Sequence, residues 1–302
     1  MKEKTISAPV FFKGTGLHTG MKTEMTVCPA PERSGIRFQR TDLPGCPFLE
    51  AVADNVVQTE RSTVLLKDRV RVHTSEHLMA AFYGLDIHNA LVQLNGPEVP
   101  ILDGSAYPFA RAFTDIGIQE QHACVRYGHL SSALQFSDPD TGTLIEITPS
   151  ETFSARVIID FQSEVLGRQE YVYSPGTDFK EEVAPSRTFV FLHEILFLYK
   201  NGLVRGGDLN NALVIAEKEI ETEDQKLLQH IFASPAVHIH KGYLNTSGPR
   251  FPNECARHKM VDLLGDLMLV GKRFHATVTA FKPGHAANTA VARMIRNQLI
   301  MN

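Results

Sequence analysis

Polar and apolar positions alternate along much of the first third of the chain, a pattern typical of half-buried β-strands. Segment 23–27 alternates in this way and ends at the Pro-Ala-Pro corner of residues 29–31. A helix is predicted after Thr74, because this hydroxyl residue can cap EHLMAAFYGL, where apolar residues occupy adjoining faces. ALVQLNG is then expected to form a strand, and 103–118, starting with a capping Asp, a second helix.

The second half of the chain repeats this order of strands before helices. TLIEITP and FSARVIIDF are predicted strands, and a long helix over 253–270 precedes the strand ATVTAF and a last helix from about 288 to 300. This order favours an α+β fold over a doubly wound α/β fold. Because the polar segment 119–129 separates the halves, we expect two domains, 1–124 and 125–302.

Composition and charge exclude several classes of protein. The chain has 302 residues, 43% hydrophobic and 21% charged, with a formal charge of −4, which is ordinary for a globular protein and argues against a nucleic-acid partner. The four cysteines are scattered, as expected of reduced thiols. The longest apolar stretch, 189–199, is interrupted and shorter than the roughly 20 residues of a membrane span. We therefore expect a soluble cytoplasmic protein without a transmembrane segment.

The most informative segment is NECARHKMVDLLGDLMLVGK, in the predicted long helix. His258, Asp262 and Asp266 are spaced by four residues, so on a helix they form one stripe among apolar neighbours. Burying such groups is costly unless a metal or a partner satisfies them. A hydrogen-bonded structural helix is the alternative, but a His and an Asp one turn apart can also bind a single ion.

The Glu76-His77 pair at the start of the first predicted helix offers an imidazole for a metal and a carboxylate for a water molecule. It is not the H-E-x-x-H motif, so a zinc peptidase is disfavoured. For this pair alone, a structural role is the alternative. With His258 and Asp262, however, His77 supplies the third ligand of a three-ligand catalytic zinc site with a fourth position for water. Two imidazoles and a carboxylate suit zinc, although they also accept iron or cobalt.

A third element is the Lys-Pro-Gly-His sequence at 282–285, directly after the strand ATVTAF. The Pro-Gly turn is expected to hold His285 at a strand end, where side chains project into clefts. With an ordinary pKa of roughly 6.5, a histidine can donate a proton near neutral pH if a carboxylate raises that pKa, and Asp266 is a candidate. A loop histidine is also often only a surface group.

Taken together, these segments resemble a known family over essentially the whole chain. GTGLHTG, TSEHLMAAFYG, NGPEVPILDGSA, APSRTFVF, GGDLNNALV, NECARHKMVDLLGDL and KPGHAAN are similar to motifs of the zinc-dependent UDP-3-O-acyl-N-acetylglucosamine deacetylases of lipid A biosynthesis. The resemblance is strongest to members fused to a 3-hydroxyacyl-acyl-carrier-protein dehydratase. It therefore implies a dehydratase partner, fused or associated, and a fused module would begin near Asn302.

The resemblance also implies a fold and a reaction. The fold is two similar α+β domains of layered sheets and helices packed face to face, with an insert near 42–72 in the first and near 191–219 in the second. The reaction removes the N-acetyl group of UDP-3-O-[(3R)-3-hydroxyacyl]-N-acetylglucosamine and releases acetate. A metal-free module that binds a nucleotide sugar or an acyl chain is the alternative, but it has no reason to retain a complete set of metal-binding and acid–base residues.

The resemblance implies a role for each motif residue. The zinc ligands are His77, His258 and Asp262. Glu76 is the general base that deprotonates the attacking water, and His285 is the general acid, oriented by Asp266. Thr188 polarises the acetyl carbonyl. The residues expected along the sugar, the diphosphate and the uridine are His18, Phe161, Phe189, Lys259 and Lys282.

The apolar segment FVFLHEILFLYKNGLVRGG is a candidate acyl passage, because it has more apolar side chains than one helix face can bury. Ordinary core packing is the alternative for each of its residues. The positions expected to line the passage are Leu192, Ile195, Leu203, Leu209, Ala212 and Val214.

Overall fold

The computed structural model describes residues 1–200, 205–218, 220, 222–232, 237–244 and 248–301. The strands of the first half are β1 (Lys2–Ile6), β2 (Val10–Thr15), β3 (Lys22–Pro29), β4 (Ile36–Arg40), β5 (Phe48–Glu50), β6 (Val56–Gln58), β7 (Val64–Lys67), β8 (Val70–Val72), β9 (Ala90–Leu94) and β10 (Ile118–Cys124). Its helices are α1 (Glu76–Gly84) and α2 (Tyr107–Ile116).

The second half follows the same scheme. Its strands are β11 (Leu134–Asp138), β12 (Thr143–Pro149), β13 (Ser154–Asp160), β14 (Arg168–Tyr173), β15 (Phe189–Phe191), β16 (Leu213–Ile215) and β17 (Ala276–Phe281). Its helices are α3 (Leu192–Lys200), α4 (Thr222–Ile231), α5 (Glu254–Met268) and α6 (His285–Met301).

The two five-stranded sheets have the same topology. The first has the order β2-β3-β9-β4-β5 and the second β11-β12-β17-β13-β14. In each sheet the strand that follows a long buried helix enters the middle and runs parallel to one neighbour, β9 beside β4 and β17 beside β13. All the other pairs in these sheets are antiparallel. The α+β class with two similar halves is therefore confirmed.

Helices α1 and α5 pack against each other where the halves meet. Most of α1 is apolar and buried on every side, as expected of a helix in the centre of a molecule. A methyl group at Gly265 of α5 would overlap the backbone carbonyl of Glu76, so the missing side chain lets the two backbones approach closely. This crossing brings the start of α1 beside the middle of α5.

Two helix starts and one helix cap differ from the prediction. Asp103 does not cap α2, because its carboxylate accepts hydrogen bonds from Ser105 in a turn that precedes the helix. Thr74 does not cap α1, since its hydroxyl donates to Glu98 and its φ is +56°. Helix α6 starts at His285 rather than near residue 288, because the turn with Lys282 at φ +50° leads directly into it.

The two segments expected to be inserts contain short strands and a helix. Segment 42–72 contains β5, which joins the first large sheet, and the separate sheet β6-β7-β8. Segment 191–219 contains α3 together with β16, which pairs in parallel with β15. Residues of α3 and β16 contribute to a small apolar core, which is formed by Ile195, Val214, Leu228, Val237 and Leu244. Among the described residues, no helix is long and apolar enough to cross a membrane.

Candidate active site

Three potential metal ligands meet at the crossing of α1 and α5. His77 lies in the first turn of α1, and His258 and Asp262 lie one turn apart on α5. One ligand atom from each lies within 4.8 Å of the others. Asp262 Oδ1 is 3.3 Å from Nε2 of His258 and 3.8 Å from Nε2 of His77. The predicted stripe and the predicted Glu-His pair therefore converge on one point.

The surroundings of these three residues fit a bound cation. Asp262 Oδ1 is buried and has no hydrogen-bond partner in the described part of the chain, whereas Oδ2 accepts a hydrogen bond from Lys259 Nζ at 2.9 Å. His258 Nδ1 lies 3.1 Å from the Ser186 carbonyl, which can only accept, so Nε2 presents its lone pair toward Asp262. An orphaned carboxylate oxygen beside two imidazoles is the arrangement that a zinc-type ion satisfies.

The electrostatics keep all three residues in their metal-binding forms. Burial lowers the pKa of His77 to about 3 and also lowers that of His258, so both imidazoles are neutral at pH 7. Burial disfavours the charged form of Asp262, but the charge of Lys259, and that of the neighbouring histidines in their protonated forms, outweighs it and holds the pKa of Asp262 below its usual range. The cluster thus offers two neutral imidazoles and one carboxylate to a cation.

Glu76 and His285 face each other beside the cluster. Oε1 of Glu76 lies 3.7 Å from Nε2 of His285. Burial raises the pKa of Glu76 to about 7, whereas Asp266, Asp262 and Glu76 overcome the effect of burial and raise the pKa of His285 to about 9. A carboxylate that titrates near neutrality and a protonated imidazole are suited to act as a base and an acid.

Asp266 belongs to this acid–base pair rather than to the metal cluster. Its Oδ2 accepts hydrogen bonds from His285 Nδ1 at 2.9 Å and from Asn288 Nδ2 at 3.0 Å. Its Oδ1 accepts from the hydroxyl of Thr63 at 2.5 Å. Neither Asn288 nor Thr63 was predicted from the sequence. Asn288 is part of the motif KPGHAAN and could have been noticed, but Thr63 gave no signal.

A cavity of about 350 Å³ opens over the cluster and has a polar and an apolar part. Glu76, His77, His258, Asp262 and His285 all line it. The apolar part is lined by residues of β15, α3, β16 and the end of α4 and by residues next to them. These include Val190, Ile195, Ala212, Val214, Ile231 and Phe232. This shape suits a ligand with a long apolar chain and a polar head.

The residues expected to contact an acyl chain fall into three groups. Ile195, Ala212 and Val214 line the cavity. Leu192 and Leu209 pack against the small apolar core and are not among the described lining residues. Leu203 lies outside the described residues.

Most of the residues expected along the polar part of the substrate line the same cavity, namely His18, Phe161, Thr188, Phe189 and Lys259. Phe161 is 44% exposed and packs edge-on against Phe189, and Lys259 Nζ lies 5.5 Å from the centre of the Phe189 ring. Lys282 does not belong to the described cavity lining, and its Nζ lies over the ring of Phe281.

A buried carboxylate that sequence analysis also missed, Glu98, holds the GTGLHTG loop in place. Glu98 is completely buried and accepts hydrogen bonds from the backbone amides of His18 and Thr19 and from the hydroxyls of Thr19 and Thr74. It therefore fixes the loop against the start of α1. His18 lines the cavity, and its buried Nε2 has no partner within the described ranges.

Comparisons with known proteins agree with this geometry. The sequence model of the LpxC family, described as UDP-3-O-acyl N-acetylglycosamine deacetylase, matches residues 3–230 and 222–297. The chain is 43% identical over 300 residues to the "Bifunctional enzyme LpxC/FabZ" of Bacteroides thetaiotaomicron, covering 99% of this chain and 65% of that protein. It is 39% identical over 302 residues to the protein of the same name from Porphyromonas gingivalis, covering 100% and 65%.

A relative of more similar length is the UDP-3-O-acyl-N-acetylglucosamine deacetylase of Myxococcus xanthus. It is 38% identical over 294 residues, which are 97% of this chain and 86% of that protein. The chain thus spans about 65% of the length of its bifunctional relatives and most of the length of the others. The family resemblance inferred from the motifs is confirmed, and the chain belongs to the LpxC family of UDP-3-O-acyl N-acetylglycosamine deacetylases.

Proposed function

We propose that this protein is a zinc-dependent amidohydrolase that removes the N-acetyl group from UDP-3-O-[(3R)-3-hydroxyacyl]-N-acetylglucosamine and releases acetate in lipid A biosynthesis. The observation that carries this proposal is the orphaned Oδ1 of buried Asp262, which lies 3.8 Å from Nε2 of His77 and 3.3 Å from Nε2 of His258. An acid–base pair borders the same cavity. Membership of the family supports the reaction.

His77, His258 and Asp262 are the residues that would hold zinc, and their neutral and anionic forms suit it better than a harder ion. When bound, zinc supplies a Lewis acid that polarises the acetyl carbonyl and favours ionisation of water. An amide is a poor electrophile with a poor leaving group, so the remaining residues must supply a base, an acid and oxyanion stabilisation.

Glu76 accepts the proton of the attacking water, a task for which a buried carboxylate with a pKa near 7 is suited. His285 donates a proton from Nε2 to the departing nitrogen. Asp266 orients His285, because its carboxylate accepts the hydrogen of Nδ1 and thereby presents Nε2 to Glu76. Thr188 lines the cavity. Its hydroxyl stabilises the oxyanion that develops on the acetyl group.

The residues expected along the substrate, inside the cavity and beside it, bind the substrate in this proposal. The 3-hydroxyacyl chain occupies the apolar part beside Ile195, Ala212 and Val214, and Leu192 and Leu209 support its wall. His18 contacts the sugar. Lys259 and Lys282 bind the diphosphate, and Phe161 and Phe189 form the stacking surface near the uridine.

Three further proposals concern the whole protein. We propose two domains, 1–124 and 125–302, with inserts near 42–72 and 191–219. We propose that the protein acts in the cytoplasm. Because bifunctional relatives carry the name LpxC/FabZ, we also propose an acyl-carrier-protein dehydratase as a fused or associated partner.

Acetate release from the acylated nucleotide sugar, measured together with the metal content of the purified protein, tests the proposed function. We expect about one zinc per chain, turnover that a chelator abolishes, and recovery when zinc is added back. The substrate without its acyl chain serves as a control and should react more slowly, because each CH₂ buried in the apolar part contributes about 0.8 kcal/mol. Binding of the substrate without acetate release would instead favour the metal-free binding module.

A further inference from the structure

Thr63 lies immediately before β7, and its side chain is completely buried. Its backbone N–H donates to Oε2 of Glu76 at 3.1 Å, and its hydroxyl donates to Oδ1 of Asp266 at 2.5 Å. The same hydroxyl oxygen lies 3.3 Å from Nδ1 of His285. One residue therefore contacts all three members of the acid–base group.

The hydrogen-bonding capacity of the hydroxyl fixes the direction of each contact. A threonine hydroxyl has one hydrogen to donate, and an ionised carboxylate can only accept, so this hydrogen is used in the bond to Asp266. The oxygen can then only accept from His285, and Nδ1 of His285 must carry a hydrogen. This leaves Nε2, the nitrogen nearer Glu76, as the atom that gains and loses a proton.

The two carboxylates in this group also need separate donors. Glu76 and Asp266 are both buried, and like charges in such a site repel each other unless hydrogen bonds hold and stabilise them. Thr63 donates to Glu76 through its backbone N–H and to Asp266 through its hydroxyl. It therefore fixes the distance between the two carboxylates. Asn288 donates a hydrogen bond to Asp266 and, in the described contacts, not to Glu76.

We propose that Thr63 is a positioning residue for this reaction. It keeps the hydrogen of His285 on Nδ1 and holds the carboxylates of Glu76 and Asp266 in place relative to each other. The inference rests on the proposed deacetylase function. It concerns a residue that does not touch the substrate and that acts through the acid–base pair.

Thr63→Val tests this role, because valine keeps the branched shape and the backbone N–H but lacks the hydroxyl. We expect kcat to fall about 10- to 100-fold, as for the loss of a hydrogen bond to a charged group, while KM changes less than about twofold and the zinc content stays the same. Thr63→Ser should restore most of kcat. Thr5→Val is the matched control, since the buried hydroxyl of Thr5 donates to the Asn89 carbonyl away from the cavity; it should leave kcat unchanged.

A double-mutant cycle with Asp266→Asn separates positioning from general destabilisation. If Thr63 acts through Asp266 and His285, Thr63→Val should reduce kcat little further once Asp266 is replaced. Wild-type kcat in Thr63→Val, failure of serine to rescue it, or losses that multiply in the double variant would overturn the inference while leaving the deacetylase function standing. A wild-type protein that releases no acetate would overturn both.

Discussion

Glu76 and His77 are adjacent in the sequence, yet at the scale of single residues the proposed function gives them separable tasks. His77→Ala removes one of three ligands, so the zinc content of the purified protein should fall well below one per chain. Glu76→Gln keeps the shape and the hydrogen bond from Thr63 but loses the base, so zinc should remain while kcat falls about 100-fold or more. Elemental analysis and acetate release on the same samples measure both effects.

Glu194→Gln is a suitable control for this pair, because Glu194 lines the cavity and lies 3.6 Å from Arg61 but not beside the metal cluster. It should retain both zinc and most of the turnover, as exposed ion pairs contribute little. Full turnover in Glu76→Gln, or loss of zinc in that variant, would contradict the division of tasks.

The predicted residues of the metal cluster and of the acid–base pair share one property, which is that a local pattern in the sequence pointed to them. His258, Asp262 and Asp266 were visible because polar groups recur every four residues on an apolar helix, and Glu76 because it adjoins His77. Thr63 is 203 positions away from Asp266, and threonine before a strand is ordinary. Only the tertiary structure could bring it to the site.

At the scale of elements, the site depends on how closely α1 approaches α5. Alanine is favoured over glycine within a helix by about 1 kcal/mol, so Gly265→Ala should stabilise α5 considered alone. In the folded protein the new methyl group would overlap the Glu76 carbonyl and push α1 away. We expect a loss of about 1–3 kcal/mol in the free energy of unfolding and weaker zinc binding, because His77 moves with α1.

Chemical denaturation and zinc titration measure these two effects. Gly284→Ala is the control, since a methyl group at Gly284 meets nothing within 4 Å, and it should change neither quantity appreciably. Increased stability of Gly265→Ala with unchanged zinc affinity would show that the close approach is not needed.

The GTGLHTG loop depends on the buried carboxylate of Glu98. Burial disfavours the charge of Glu98, but hydrogen bonds from His18, Thr19 and Thr74 outweigh it and lower the pKa. Glu98→Gln turns one acceptor into a donor facing other donors, so the free energy of unfolding at pH 7 should fall by roughly 1.5–3 kcal/mol.

The pH dependence follows from the sign of this shift. A carboxyl group whose pKa is lower in the folded state stabilises the protein above its unfolded pKa of about 4.3, and this contribution is lost as the pH falls through the folded value. The difference between wild type and Glu98→Gln should therefore be largest near neutrality and shrink below pH 4. Glu24→Gln, which removes an exposed ion pair with Lys13, should cost less than about 1 kcal/mol. An equally small effect in both variants would contradict the role of Glu98.

The elements themselves were largely predictable, whereas the starts of α2 and α6 were not. Periodicity gave α5 and β17 within two residues, because long buried helices and alternating strands have strong patterns. The start of α6 was missed because the positive φ of Lys282 lets a helix follow the turn at once. The start of α2 was missed because Asp103 has a turn role that composition cannot distinguish from capping.

At the scale of the molecule, the site lies at the interface between two halves of the same topology. Each half contributes a helix from the same place in its sheet order, α1 before β9 and α5 before β17. Neither half alone has all three of the proposed ligands, because His77 comes from the first half and His258 and Asp262 come from the second. The order of strands and helices predicted the similarity of the halves, but not that these two helices cross.

Because the ligands come from both halves, metal binding should stabilise the whole chain. A ligand that binds only the folded state contributes about 2.7 kcal/mol at a free concentration of 100 times its Kd. For a chain of this size, removal of zinc with a chelator should therefore lower Tm by several degrees, and added zinc should reverse the change. In Asp262→Ala, which lacks one ligand, the zinc-dependent shift should be much smaller. Scanning calorimetry of both proteins, with and without chelator, measures the shift in Tm. Equal shifts in both proteins would mean that zinc binds elsewhere. No shift in wild type would mean that the crossing of α1 and α5 holds no metal.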